Sequence, residues 1–231
     1  MNRSERLQLI TDTGIIAIMR AKKVPASQAG TSEQLIAAAE AICRGGVRAI
    51  EVTMTTPGAL EAIAEASARL GRDVLFGAGT VLDAETAQAA IQAGAGLIVS
   101  PTLNVDVIRL CNYHGVVAVP GCYTPTEMLA AFNAGADLCK FFPAEIGGPA
   151  MLRAIRAPLP QLRIVPVGGV TLDNAAEYMR SGAAALGVGS ALINQTLLDA
   201  GDPGPRGRDL LTELTRRAAA FIAAVKTARG E

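Results

Sequence analysis

One pattern narrows the folds open to this chain more than any other feature. An alanine-rich helical stretch ends in a small residue and a glycine, and a short apolar run follows. It occurs as residues 37–44, Gly45-Gly46 and 47–53, then as 85–92, Ala93-Gly94 and 96–100. It returns as 126–133, Ala134-Gly135 and 136–140, and again as 174–180, Ser181-Gly182 and 183–187. Glycine stops a helix because it can take the left-handed conformation just past the last turn. Strands alternating with helices at this spacing predict parallel βαβ units. Eight strands are expected, near residues 14–20, 47–53, 73–77, 96–100, 116–119, 136–140, 163–167 and 184–188. Helices are expected after Thr31, Thr56, Leu82, Leu103, Thr124, Gly148 and Thr171, with a last long helix over 210–228. Residues 3–12 read as a short helix closing the bottom, and 201–207 as a loop rather than a linker. The expected fold is a single α/β domain over residues 1–231, a compact (β/α)8 TIM barrel with an N-terminal capping helix. A doubly wound open sheet is the alternative. Its dinucleotide fingerprint is missing after the first strand, where Arg20-Ala21-Lys22-Lys23 stands.

Composition removes several function classes. Half of the 231 residues are hydrophobic, enough for one substantial core. The formal net charge is zero, so no footprint for nucleic acid or acidic lipid is visible. Apolar stretches such as 183–188 are too short to span a bilayer. Cys43, Cys111, Cys122 and Cys139 show no close metal-ligand spacing, and no secretory signal is evident. They are expected to be reduced thiols in a cytoplasmic protein. His114 is the only histidine, which argues against a multi-histidine metal site, and it reads as a surface residue near a helix end. No metal and no cofactor are expected.

In such a barrel the active site lies at the C-terminal ends of the strands. The first strand ends in Arg20, the second carries Glu51 and Thr53, and the third leads into Gly79-Thr80. The fourth ends in Ser100-Pro101, the sixth in Lys140, the seventh in Gly168-Gly169 and the eighth in Gly189-Ser190. Alternation along the strands lets Arg20, Glu51 and Lys140 face one cavity. A lysine there, followed by Phe141-Phe142-Pro143, is short of water, and desolvation lowers its pKa. Only the neutral amine forms a Schiff base with a carbonyl, and an unperturbed lysine is well under about 0.1% neutral at pH 7. Residue by residue, plainer readings stay open. Lys140 could snorkel to solvent, and Glu51 could serve a structural ion pair. The two glycine turns after adjacent strands could hold a phosphate on backbone N–H groups, aided by a following helix, or could be turns and nothing more. Arg48 and Arg69 read as solvated, and Tyr123 and Thr124, which open the helix after the fifth strand, could touch a substrate.

These residues stand in segments that closely resemble the 2-keto-3-deoxy-6-phosphogluconate aldolase family. That class I family includes 4-hydroxy-2-oxoglutarate and 2-keto-3-deoxy-6-phosphogalactonate aldolases. The matching segments are residues 15–20 (IIAIMR), 45–53 (GGVRAIEVT), 77–82 (GAGTVL) and 98–101 (IVSP). Pro120-Gly121, 140–145 (KFFPAE), 166–170 (PVGGV) and 187–190 (GVGS) complete the series, in order along nearly the whole chain. KFFPAE and GAGTV are the specific members of the set.

The resemblance implies a metal-free, cytosolic homotrimer of TIM barrels that acts as an aldehyde-lyase on a phosphorylated 2-keto acid, with pyruvate as a product. Lys140 matches the Schiff-base lysine and Glu51 the general acid/base. Thr80, Ser100 and Pro101 match segments lining the pyruvyl pocket, and Phe142 packs over it. Gly168, Gly169, Gly189 and Ser190 match the phosphate-binding turns. Two departures stand out. Some members carry a carboxylate-binding arginine shortly after the glutamate, where this chain reads Met54-Thr55-Thr56-Pro57. Arg20 then becomes the carboxylate anchor. Phosphogluconate-type members often have threonine at the Val167 position, whereas phosphogalactonate-type members can have valine. The expected reaction is cleavage of 2-keto-3-deoxy-6-phosphogluconate to pyruvate and glyceraldehyde 3-phosphate. The phosphogalactonate and hydroxyoxoglutarate reactions are the alternatives within the same chemistry. A non-catalytic phosphoryl-ligand barrel and a metal-dependent lyase are those outside it.

Overall fold

The structure is a computed structural model that describes residues 1–21, 28–194 and 205–231. Its strands are β1 (Ile15–Met19), β2 (Ala49–Thr53), β3 (Leu75–Gly79), β4 (Leu97–Val99), β5 (Val117–Val119), β6 (Gly121–Cys122), β7 (Cys139–Phe141), β8 (Ile164–Pro166) and β9 (Leu186–Val188). Its helices are α1 (Arg3–Thr13), α2 (Gln28–Arg44), α3 (Ala59–Leu70), α4 (Ala84–Gln92), α5 (Val105–His114), α6 (Pro125–Asn133), α7 (Ala144–Arg156), α8 (Leu172–Arg180) and α9 (Pro205–Arg229).

Every strand pairing is parallel. Six strands form one curled sheet in the order β5-β4-β3-β2-β1-β9, and three form a second in the order β6-β7-β8. The expected single closed ladder is therefore divided in two. The expected fifth strand forms as β5, and β6 follows it as a separate short strand across Pro120, which has no N–H to give to a ladder. The two parts stay in touch: the Pro120 carbonyl accepts from Lys140 N–H at 2.9 Å, and one isolated parallel bridge joins Val167 to Gly187.

The four repeated helix ends form as their glycines require. Gly46, Gly94, Gly135 and Gly182 all have φ between 94° and 99°. Ala95, Ala136 and Ala183 each donate an N–H five residues back, to Ala90, Ala131 and Tyr178, closing the helix end in a Schellman-type turn. Each strand is thereby launched directly from the helix before it.

Strand alternation divides the core into two layers. Ile16, Ala49, Leu75, Leu97, Val99, Leu138 and Val165 make the inner one. Ile15, Ala17, Ile50, Val52, Ile98, Cys139 and Phe141 pack outward against the helices. Helix α1 behaves as expected: Ile10 is fully buried in the inner layer, with Leu7 and Leu9 beside it. The helix is capped at Asn2 by a capping box and at Gly14 by a left-handed turn.

Several boundaries differ from expectation. β3 and β7 run two residues and one residue further than expected, so Lys140 is the middle residue of its strand rather than the last. α2 begins at Gln28 and α9 at Pro205, so residues 205–207 are helical; 201–204 lie outside the described residues. α7 begins at Ala144, and Gly148 interrupts it with φ 64° and ψ −174° before Pro149. The expected start after Gly148 is thus the second of two helical pieces.

Candidate active site

The site forms where the C-terminal ends of β1, β2, β3, β7 and β8 converge. Lys140 lies on β7 between two outward residues, Cys139 and Phe141, so its side chain enters the interior with Leu138. It is 6% exposed. Glu51 does the same on β2, after the inward Ala49, and is 2% exposed. Gly79 on the neighbouring strand leaves room for it: a Cβ there would collide with Glu51 Oε1. On β1, alternation after Ile16 and Ile18 turns Arg20 toward the same space, at an exposed strand end.

Burial sets the electrostatics. Desolvation pushes the Lys140 ammonium below its ordinary value; the Glu51 charge opposes this, and Arg20 reinforces it. Desolvation likewise raises the Glu51 carboxyl, against the smaller opposing pull of Lys140 and Arg20. For Lys140 the contest between desolvation and Glu51 thus goes to desolvation. Each group is moved toward its neutral form, as acid–base work near neutral pH requires.

The segment after Lys140 is pinned from both sides. Phe142 N–H donates to the Cys122 carbonyl at 3.1 Å, and Val167 N–H to the Phe141 carbonyl at 2.9 Å. Ala144 N–H donates to the Val167 carbonyl at 2.8 Å, and the Tyr178 hydroxyl to the Ala144 carbonyl at 3.0 Å. The Phe142 ring is held with its centroid 4.8 Å from Lys140 Nζ, a cation–π distance when the amine is charged.

Thr80 follows β3 and has φ 59°, the one non-glycine residue with positive φ among those described. A β-branched residue there is strained, and such strain gathers at functional sites. Ser100 is buried and Pro101 half-buried just past β4. Alternation beyond Val99 favours Pro101 over Ser100 for the inner face. Gly168 and Gly169 are both left-handed, with φ 95° and 69°. α8 starts three residues later behind a capping box made by Thr171 and Asn174. Gly189 and Ser190 follow β9 in a turn in which the Gly189 carbonyl accepts from Leu192 and Ile193 N–H. Residues 195–204, which follow that turn, lie outside those described. Tyr123 stacks on Phe141 with centroids 5.5 Å apart, and Thr124 caps α6, so both have structural work of their own.

Three hydroxyls cluster just past Glu51 in the chain; sequence points to Thr53 as a strand-end residue but does not single out Thr55 and Thr56. Thr53 is fully buried and Thr56 is 3% exposed. Thr53 Oγ1 lies 3.0 Å from Thr55 Oγ1 and 3.3 Å from Thr56 Oγ1. The available signal was a run of threonines at a buried strand end.

Elsewhere, two surface clefts of about 540 Å³ and 490 Å³ share Arg44 at the opposite end of the strands; neither includes Lys140 or Glu51. Among the described residues no group of three or more His, Cys, Asp and Glu side chains could hold a metal, and no helix is long and apolar enough to cross a membrane.

Fold and site together define an α/β protein with a desolvated lysine and carboxylate at the C-terminal edge of a curled parallel sheet. A sequence model of the KDPG and KHG aldolase family matches residues 15–204. The chain is 41% identical over 187 residues to the 2-dehydro-3-deoxy-phosphogluconate aldolase of Treponema pallidum, covering 80% of this chain and 89% of that one. It is 32% identical over 223 residues to the 2-dehydro-3-deoxy-6-phosphogalactonate aldolase of Escherichia coli, covering 96% and 99%. The crystal structure of KDPG aldolase from Legionella pneumophila, with pyruvate captured as a covalent carbinolamine, superposes with a TM-score of 0.80 at 26% identity, covering 93% and 97%. This chain belongs to the KDPG and KHG aldolase family, and is a lyase of aldolase type.

Proposed function

We propose that this protein reversibly cleaves 2-keto-3-deoxy-6-phosphogluconate to pyruvate and glyceraldehyde 3-phosphate through a Schiff base on Lys140. The observation that carries this reading is a lysine 6% exposed, made less basic by desolvation and electrostatically coupled to an equally buried Glu51. The neutral Nζ adds to the C2 ketone, and Glu51 delivers a proton to the oxygen to give a carbinolamine. Loss of water leaves an iminium. Glu51 then takes the C4 hydroxyl proton, the C3–C4 electron pair moves into the iminium, and glyceraldehyde 3-phosphate departs. Glu51 returns the proton to C3 of the enamine, and hydrolysis frees pyruvate and Lys140. Arg20 holds the carboxylate, Thr80 and Pro101 line the pyruvyl pocket, Ser100 stands just before Pro101 on the outward side, and Phe142 covers the pocket. The turns at Gly168-Gly169 and Gly189-Ser190 hold the phosphate, the first backed by the N-terminus of α8.

A second substrate, the C4 epimer that yields the same aldehyde, has its own support. Val167 lies in the inner layer against Gly187 and cannot donate a hydrogen bond to a substrate hydroxyl. The Escherichia coli relative is named for the phosphogalactonate substrate. 2-Keto-3-deoxy-6-phosphogalactonate is therefore the alternative substrate, and 4-hydroxy-2-oxoglutarate a third with the same mechanism. The Val167–Gly187 bridge and the Pro120 junction support one closed (β/α)8 barrel across residues 1–231. Family resemblance supports a cytoplasmic homotrimer.

Borohydride trapping with pyruvate, followed by intact mass and peptide mapping, tests the chemistry. A pyruvyl adduct on Lys140, lost in Lys140→Ala, is expected. A normal adduct in that variant would sink the assignment. A panel of 2-keto-3-deoxy-6-phosphogluconate, its C4 epimer and 4-hydroxy-2-oxoglutarate then separates the three substrates.

A further inference from the structure

We propose that Thr56 is a positioning residue for Arg20, acting through the backbone of Ala21. The proposal rests on the reading of Arg20 as the carboxylate anchor. The β1–β2 register runs as far as Met19 opposite Val52. Carried two residues further, a parallel ladder would offer Ala21 N–H the Thr53 carbonyl. That carbonyl instead accepts from Thr56 N–H at 2.8 Å, closing a turn at the end of β2. The Thr56 hydroxyl takes its place: Ala21 N–H donates to Thr56 Oγ1 at 3.1 Å, in a buried contact. The residue immediately after Arg20 is thus tied to the turn that ends the strand carrying Glu51.

The post itself is rigid. Met54 N–H donates to the Gly79 carbonyl at 2.8 Å, and Ala59 N–H to the Thr56 carbonyl at 3.2 Å. The Thr56 oxygen accepts from Ala21, so its own hydrogen is available to Thr53 Oγ1 at 3.3 Å, although either hydroxyl can be the donor in that pair. Thr53 in turn reaches Thr55. A long, exposed arginine has many rotamers, and fixing its backbone beside the site reduces what must be ordered when a carboxylate binds.

The test measures the pyruvate concentration that half-saturates borohydride trapping, alongside kcat for cleavage and thermal stability. The variants are Thr56→Val, Thr56→Ser, Arg20→Ala and the double Thr56→Val/Arg20→Ala. Removing one neutral hydrogen bond should raise the half-saturating pyruvate in Thr56→Val by roughly three- to tenfold, with a smaller change in kcat. Thr56→Ser, which keeps the hydroxyl, should restore most of it. Adding Thr56→Val to Arg20→Ala should weaken pyruvate little further, because both changes act on one contact. Lower stability with unchanged half-saturation in Thr56→Val would make Thr56 merely structural and overturn the proposal, as would full additivity in the double variant. Should Thr56→Val fail to fold, Thr56→Ala against Thr56→Ser supplies the same comparison. Unchanged pyruvate affinity in Arg20→Ala would remove the carboxylate anchor, and the role of Thr56 with it. A loss in Arg20→Ala but none in Thr56→Val would leave the anchor standing and remove Thr56 alone.

Discussion

Thr80 holds a backbone conformation its side chain resists. At φ 59°, a left-handed L-residue costs about 1–2 kcal/mol, and a β-branched one has no easy rotamer there. Glycine adopts the same φ freely but makes the unfolded chain looser, which offsets about 0.4–1 kcal/mol. Thr80→Gly should therefore leave stability unchanged or raise it by up to about 1.6 kcal/mol, while the half-saturating pyruvate rises. Denaturant titration and borohydride trapping read the two effects. A clear loss of stability would mean that the Thr80 side chain supports the fold rather than a ligand. Lys140 and Glu51 were legible in sequence because strand alternation turns a charged residue inward wherever its neighbours are apolar. The Thr80 backbone and the Thr56–Ala21 bond were not. The first depends on how β3 leaves the sheet, and the second joins residues 35 apart in the chain.

At the scale of elements, the glycines that stop helices were readable, and those that allow close packing were not. Gly46 and Gly94 announce themselves by following a helical run. Gly45 looks the same in sequence but has a different task, because α9 lies directly on it. A Cβ at Gly45 would strike Ala218 Cβ and come within 2.6 Å of the Thr215 carbonyl and 2.9 Å of Ala219 N. Thr215 also donates to the Ala41 carbonyl at 2.9 Å, so α2 and α9 cannot part easily. Gly45→Ala should cost about 1–3 kcal/mol through overpacking, and amide exchange in α9 should accelerate. Gly115→Ala is the comparison. It has φ 64° with nothing within 4 Å of a new Cβ, so it should cost only the left-handed backbone and leave α9 exchange untouched. Equal protection of α9 in both variants would show that the helix yields without loss. Packing between elements distant in sequence also explains the misplaced start of α7. Ala144 is drawn into helix by its bonds to Val167 and Tyr178, which no local signal records.

For the molecule as a whole, the site is a stability cost that the two-layered core carries. Two ionisable groups lie in the interior, and both are pushed by desolvation toward neutrality. The signs of their pH effects are opposite. For Glu51, the folded value lies above the ordinary 4.5, so between the two the native chain holds a proton that the unfolded chain has lost. Stability therefore falls as pH rises through that window. For Lys140, the folded value lies below the ordinary 10.5, so between the two the unfolded chain holds the extra proton. Stability therefore rises with pH through that window, up to 10.5. The native protein should lose stability above pH 4.5 and regain part of it toward pH 10.5. The double variant Lys140→Met/Glu51→Gln removes both charges while keeping volume. Replacing buried ionisable groups by well-packed neutral ones of similar volume is often neutral or stabilising by about 1–4 kcal/mol, so the variant should be inactive, at least as stable at neutral pH, and flatter across the range. Urea midpoints at a series of pH values would show it. Parallel curves for the two proteins would mean that Lys140 and Glu51 titrate as they do in the unfolded chain, and that desolvation does not govern this site.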